Sequence, residues 1–89
     1  MDVGFDRAKD AINRRKHGVS LQAAERFDLD TALFVLDDSQ DYGEQRYNAI
    51  GWIEGTLHVL TFTIRQQQVR AISLRRATRQ EQKQYAENF

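Results

Sequence analysis

Hydrophobic and polar positions change period along the chain, and the changes mark its elements. Over residues 7–17, RAKDAINRRKH, the positions Ala8, Ala11, Ile12 and Arg15 form a narrow stripe at helical spacing. Asp6 is placed to cap that helix. Arg14, Arg15, Lys16 and His17, followed by Gly18, make a helix stop with cations at the negative end of the dipole. Ser20 opens a second, shorter helix through Phe27, with Leu21, Ala24 and Phe27 turned inward. From residue 33 the period falls to two. Strands are predicted over 33–36, 46–53, 57–64 and 69–76, and residues 3–5 can add a short one. Glu54-Gly55 is a two-residue hairpin turn, and Gln66, Gln67 and Gln68 allow only another antiparallel strand. Thr78 with Glu81 three residues on is a capping box, which starts a last helix over 79–88. The predicted fold is α+β. One domain over 1–89 holds an antiparallel meander of about four strands, with two N-terminal helices and one C-terminal helix covering one face. Trp52 and Phe62 are expected to fill much of its core.

Composition adds limits. Hydrophobic residues make up 40% of the chain, enough for a thin core in a domain that buries only about 60% of its unfolded surface. Cysteine is absent, so no disulfide or thiolate metal site exists. There is no apolar run long enough to span a bilayer and no basic-then-apolar leader, so the expected location is cytoplasmic. The net charge is zero but unevenly placed: residues 31–64 carry one basic and five acidic groups, and residues 65–89 carry six basic and two acidic. That asymmetry predicts a basic face, unless the charges pair across strands.

The basic groups gather where the last strand meets the last helix. Arg70, Arg75, Arg76 and Arg79 flank that junction, and a helix N-terminus among guanidinium groups suits a phosphate. Alternation places Arg70 and Arg76 with Ile72 and Leu74 on the helix-packed face, and Arg75 on the open face with Arg65 from the neighbouring strand close enough to join it. No glycine-rich phosphate loop, HExxH, CxxC or GxSxG pattern occurs. Asp37, Asp38 and Asp41 lack the frame of a calcium loop and read as a solvated turn, so neither metal nor cofactor is expected.

Three motifs point further. F-D-x-x-K-x-x-x-N-x-x-K-H-G-V-S runs from Phe5 to Ser20, G-E-x-R-x-x-x-I-G from Gly43 to Gly51, and V-R-x-I-S-x-R-x-A-T from Val69 to Thr78, followed by Glu81 and Tyr85. In this order and spacing they resemble the BrnT family of bacterial toxins, the ribonuclease half of type II toxin–antitoxin pairs. The resemblance implies a RelE-like fold and RNA cleavage without a metal. It also implies a BrnA-like ribbon-helix-helix antitoxin as partner, with operator DNA bound only through that antitoxin. The chain departs from the family pattern at Gly4-Phe5-Asp6, where a tryptophan is usual, and at Leu74 and Phe62. It departs again at Gln80, Gln82, Lys83 and Gln84, where the family's last helix is richer in arginine.

Such cleavage needs a base for the 2′-hydroxyl, an acid for the leaving 5′-oxygen and cations for the phosphorane. Arg75 and Arg65 are the candidates for charge stabilisation. His17 is a candidate acid or base, because histidine titrates near neutrality. Glu44 is a candidate base, and Tyr85 can stack on a base or donate a proton. Lys16, Arg46, Arg70, Arg76 and Arg79 are candidates for binding RNA. His58, mid-strand, reads as a structural histidine. A non-catalytic nucleic-acid-binding module and a protein-interaction domain stand as the alternatives. The resemblance decides for the enzyme.

Overall fold

The computed structural model describes residues 2–37 and 43–89. Its elements are β1 (Val3–Gly4), α1 (Arg7–His17), a 3₁₀ helix (Leu21–Arg26), β2 (Leu33–Asp37), β3 (Arg46–Ile53), β4 (Thr56–Arg65), β5 (Gln68–Arg76) and α2 (Arg79–Glu87). Asp38 and Asp41, read as part of a solvated turn, lie outside the described residues.

Five strands form one sheet in the order β1-β5-β4-β3-β2, where about four were expected. β2 to β5 make the predicted antiparallel meander, and β1 runs parallel to β5 beyond it. The hairpin turns obey local chemistry. Glu54 and Gly55 both take positive φ (48° and 82°), the conformation a two-residue turn needs. Gln66 and Gln67 do the same at 52° and 67° with no glycine to ease it.

Helices cover both faces of the sheet, not one. On the first face Leu21, Ala24 and Phe27 pack on Ala49, Ile53, Leu60, Phe62, Ala71 and Leu74. Gly51 is needed there, because a Cβ would stand 2.7 Å from Cζ of Phe27. On the opposite face Ala77 and Tyr85 close over Ile50, Leu57 and Val59. Adjacent residues such as Ala49 and Ile50, or Val59 and Leu60, serve different cores, as strand alternation requires. The segment at 21–26 is a 3₁₀ helix rather than an α-helix, although Ser20 caps it as expected. Trp52 is not core: it is 38% exposed, with its ring edge-on to Tyr85.

α1 departs from its predicted stripe. Ala8 and Arg15 are exposed, Ile12 is 49% exposed, and the buried residue is Asn13. The reason is where the helix lies. β1 pairs only with Val69 and Arg70, so the outer edge of β5 beyond Arg70 lacks a neighbouring strand. α1 packs against β5, and Asn13 supplies the missing partner, donating to the Leu74 carbonyl at 2.7 Å and accepting from its N–H at 3.0 Å. Asp10 serves the next turn of chain, accepting from the N–H of Leu21 and from Ser20 Oγ.

One irregularity sets the site. Cross-strand partners run Leu60–Leu74 and Thr61–Ser73, then Phe62–Ala71, so Ile72 is an extra residue in β5. Such a bulge reverses the phase of a strand. Leu74 and Ala71, three apart, therefore both enter the first core, at 0% and 1% exposure. Arg70, paired with Thr63, falls on the same side as Ser73 and Arg75, not with Leu74 as simple alternation placed it.

Candidate nucleic-acid interface

The face opposite the Leu60–Leu74 core is mainly polar beyond α2, with Val35 of β2 exposed beside Asn48. By register, β5 contributes Arg70, Ser73 and Arg75, and β4 contributes Thr61, Thr63 and Arg65. β3 adds Asn48, opposite Thr61, and Arg46, in phase with it. Arg46, Arg65, Arg70 and Arg75 thus share one side of the sheet. Thr61 donates to Asn48 Oδ1 at 2.6 Å, and Thr63 donates to the Gln45 carbonyl at 2.7 Å.

Three hollows adjoin along this face. The first, of about 340 Å³, lies beside α2 and is lined by Asn48, Thr61, Arg75, Glu81 and Gln84 among others. The second, of about 230 Å³, lies between α1 and β5, with Lys9, Lys16, His17 and Ser73 on its walls. The third, of about 190 Å³, holds Lys9, Glu44, Thr63, Arg65 and Arg70. Ser73 and Thr61, cross-strand partners, join the second hollow to the first, and Lys9 joins the second to the third.

Two arginines on this face are clamped by carboxylates, from different sides. Glu81 meets Arg75 end-on, accepting from Nη1 at 2.7 Å and Nη2 at 2.9 Å. These bonds hold the Glu81 carboxyl at about 2, well below the ordinary range, and raise Arg75. Glu81 also accepts from the N–H of Thr78, completing the capping box. The anion that the strand–helix junction attracts is therefore the protein's own. Glu44 meets Arg65 from the side, accepting from Nε at 3.1 Å and Nη2 at 2.9 Å. Those hydrogen bonds lower the Glu44 carboxyl and raise Arg65, although Arg65 is exposed and Glu44 half-buried.

The predicted residues divide as follows. Arg75 lies opposite the Leu60–Leu74 core, as expected, but that face is not open: α2 crosses it, and its Glu81 holds Arg75. Arg65 does not join it at one phosphate: Arg75 pairs with Val59, six positions from Arg65 along β4, which is about 20 Å at strand rise. Lys16 and His17 line the middle hollow and Arg46 starts β3 on the same side. Arg76 is turned away. It pairs with His58 and lines a hollow of about 450 Å³ on the opposite face with Gln22 and Arg26. Arg79 is exposed in the first turn of α2. His58 is buried, with Nδ1 2.9 Å from the Thr56 carbonyl, which makes it structural as predicted. Tyr85 is 8% exposed, and its hydroxyl donates to the Thr31 carbonyl at 2.7 Å while accepting from Trp52 Nε1 at 3.1 Å.

Ser73, Thr61, Asn48 and Lys9 escaped the sequence reading. Ser73 was legible, two residues from Arg75 in a strand. Thr61 and Asn48 needed the register, and the clamp of Glu81 on Arg75 needed the turn at Ala77 that brings α2 back over the sheet.

A face of four arginines edged by lysines and a histidine and floored with hydroxyl and amide groups suits a polyanion with hydroxyls of its own. The sequence model described as "Ribonuclease toxin, BrnT, of type II toxin-antitoxin system" matches residues 5–81. The chain belongs to the BrnT family. No curated protein matches it. The matched span takes in every residue lining the three hollows except Gln84. Membership in BrnT implies an RNA substrate and an antitoxin partner. Among the described residues, no helix is long and apolar enough to cross a membrane.

Proposed function

We propose that this chain is a metal-independent endoribonuclease toxin of RelE-like architecture, working in the cytoplasm, whose RNA lies along the face of Arg46, Arg65, Arg70 and Arg75. The observation that carries this reading is the bulge at Ile72, which gathers Arg70, Ser73 and Arg75 on one side in a member of a ribonuclease family. The reaction is attack of a 2′-oxygen on the adjacent phosphorus, with departure of the 5′-oxygen. A proton leaves the 2′-hydroxyl and another reaches the leaving oxygen. Arg75 binds the scissile phosphate and stabilises the phosphorane, so guanidinium charge does the work a metal ion does in other nucleases. His17, exposed in the hollow that reaches Ser73, serves as the acid or the base of this step, and water takes the other role. Glu44, ionised against Arg65, holds that arginine for a flanking phosphate, as Lys9, Lys16, Arg46 and Arg70 hold others. Tyr85 anchors α2, its hydroxyl committed within the protein. A BrnA-like ribbon-helix-helix antitoxin covers the same face and carries the operator-binding function of the pair.

The test is cleavage of RNA in excess chelator by the purified protein, by Arg75→Ala and by the wild type bound to its antitoxin. Cleavage by the free wild type alone supports the reading. Folded wild-type protein that binds RNA and never cuts it returns the chain to a binding module, and activity that chelator abolishes ends the metal-free mechanism.

A further inference from the structure

The two clamps leave different parts of their arginines open. A guanidinium has an end fork, from Nη1 and Nη2, and a side fork, from Nε and Nη2. Glu44 fills the side fork of Arg65, but Glu81 fills the end fork of Arg75. The second Nη1 hydrogen of Arg75 is directed to the Arg76 carbonyl at 3.4 Å. What is left is Nε–H and the other Nη2–H, a complete side fork with no partner among the described residues. Arg75 also lines the hollow with Thr61 and Asn48, so a guest there meets this arginine. Glu81 is itself fixed, because the same carboxylate accepts from Thr78 N–H while its own N–H donates to Thr78 Oγ1. The carboxylate is thus locked to the first turn of α2, and the guanidinium is locked to the carboxylate.

We propose that Glu81 is a positioning residue, holding Arg75 by its end fork so that the side fork alone, Nε–H with Nη2–H, receives the RNA phosphate. This rests on the reading of Arg75 as the phosphate-binding arginine. A fixed fork matches two phosphate oxygens only in one orientation, so Glu81 acts on geometry in the transition state and little on general RNA affinity. It touches neither RNA nor the reacting atoms.

Glu81→Gln tests it while keeping the fold. Glutamine at this position still completes a capping box, but its amide offers one acceptor and turns an N–H toward the other Arg75 nitrogen. We expect kcat to fall about tenfold to a hundredfold, the loss that slight misplacement of a catalytic group produces, with KM within about threefold of wild type. A second measurement needs no catalysis. The Arg75 Nε–H resonance is followed in ¹H–¹⁵N spectra as a non-cleavable 2′-O-methyl RNA is added. It should shift in the wild type and shift much less in Glu81→Gln. A Glu81→Gln enzyme with kcat within twofold of wild type overturns the proposal. So does a wild-type titration that moves the Glu81 carboxylate signal, because RNA would then displace Glu81, and so does one that leaves Nε–H unmoved. A wild type that cleaves no RNA removes the ribonuclease reading instead, and the titration still decides the role of Glu81.

Discussion

Asn13 treats the Leu74 peptide as a neighbouring strand would. Its carboxamide accepts from the Leu74 N–H at 3.0 Å and donates to the Leu74 carbonyl at 2.7 Å, while the same amide nitrogen donates to Val19 at 2.8 Å. One side chain therefore closes the edge of β5, seats α1 and fixes the turn that follows it. It does so next to Ser73 and Arg75, so the register of the proposed RNA face depends on it.

Removing that side chain should be expensive. Asn13→Ala leaves buried backbone groups without partners, at about 1–3 kcal/mol each, and the expected net loss is about 3 kcal/mol. In a domain of this size that is roughly 12–20 °C of melting temperature. Asn13→Asp should fare no better, because a carboxylate cannot donate to the Leu74 and Val19 carbonyls. Thermal melts of both variants check this; a loss under about 1 kcal/mol in either would show that water replaces the amide.

The Arg75–Glu81 pair should write a signature on acid stability. The Glu81 carboxyl lies at about 2 in the folded chain against 4.5 for an ordinary glutamate. A depressed folded value contributes stability that is fully present above about pH 4.5 and is lost as pH falls toward 2. Arg75 is partly exposed, so solvent screening reduces the contribution to about 1–2 kcal/mol. Urea melts should find Glu81→Gln less stable than wild type by that amount at pH 6, with the gap closing near pH 2.

Position on the face should grade the arginines. Arg75→Ala should lower kcat for RNA cleavage by about 10²–10³, the usual cost of removing a transition-state donor. Arg65→Ala, about 20 Å away along β4, should act mainly on KM and flatten the salt dependence of RNA binding by about one phosphate contact. Arg76→Ala, on the opposite face, should change neither by more than about twofold. Single-turnover cleavage and binding at several salt concentrations separate the three.

Tyr85→Phe should cost stability and spare chemistry. The hydroxyl bridges Thr31 and Trp52 under α2, so its loss strands a carbonyl and an indole N–H. The expected loss is about 1–2 kcal/mol. Cleavage per folded molecule should stay within twofold of wild type; a larger fall in kcat without unfolding would return Tyr85 to the reacting groups.

The Gln66-Gln67 turn offers a gain. Both residues sit in the left-handed region, at φ 52° and 67°, a conformation that favours asparagine and glycine. Replacing them with Asn-Gly should raise stability by about 1 kcal/mol, read as a higher denaturation midpoint with unchanged slope.

Local rules were enough for most of the elements. Asp6, Gly18, Ser20 and the Thr78–Glu81 box each bound their elements where expected, because caps and turns are decided within a few residues. Period-two patterning found the four meander strands, and the short turns after Ile53 and Arg65 set the antiparallel order of β3, β4 and β5. It placed Arg75 and Arg76 on opposite sides correctly, because both lie on the same side of the bulge as Leu74; it did not foresee that α2 crosses the Arg75 side.

What the sequence could not determine came from contacts between distant segments. The extra residue at Ile72 has no local signal, since Val69 to Arg76 alternates acceptably in either phase; only the apolar demand of the core for both Ala71 and Leu74 selects the bulge and carries Arg70 to the side of Arg75. The polar inner line of α1 reads as a poor helix face until the outer edge of β5 is seen to lack a strand. Trp52 reads as core until α2, crossing to the second face, leaves its ring at the rim. The sequence by itself determined where each element starts and stops and which residue types crowd the strand–helix junction. The tertiary structure decided which of those arginines share a surface, and that Glu81 already sits on one of them, because facing and pairing across 6 to 61 residues depend on how the whole sheet packs.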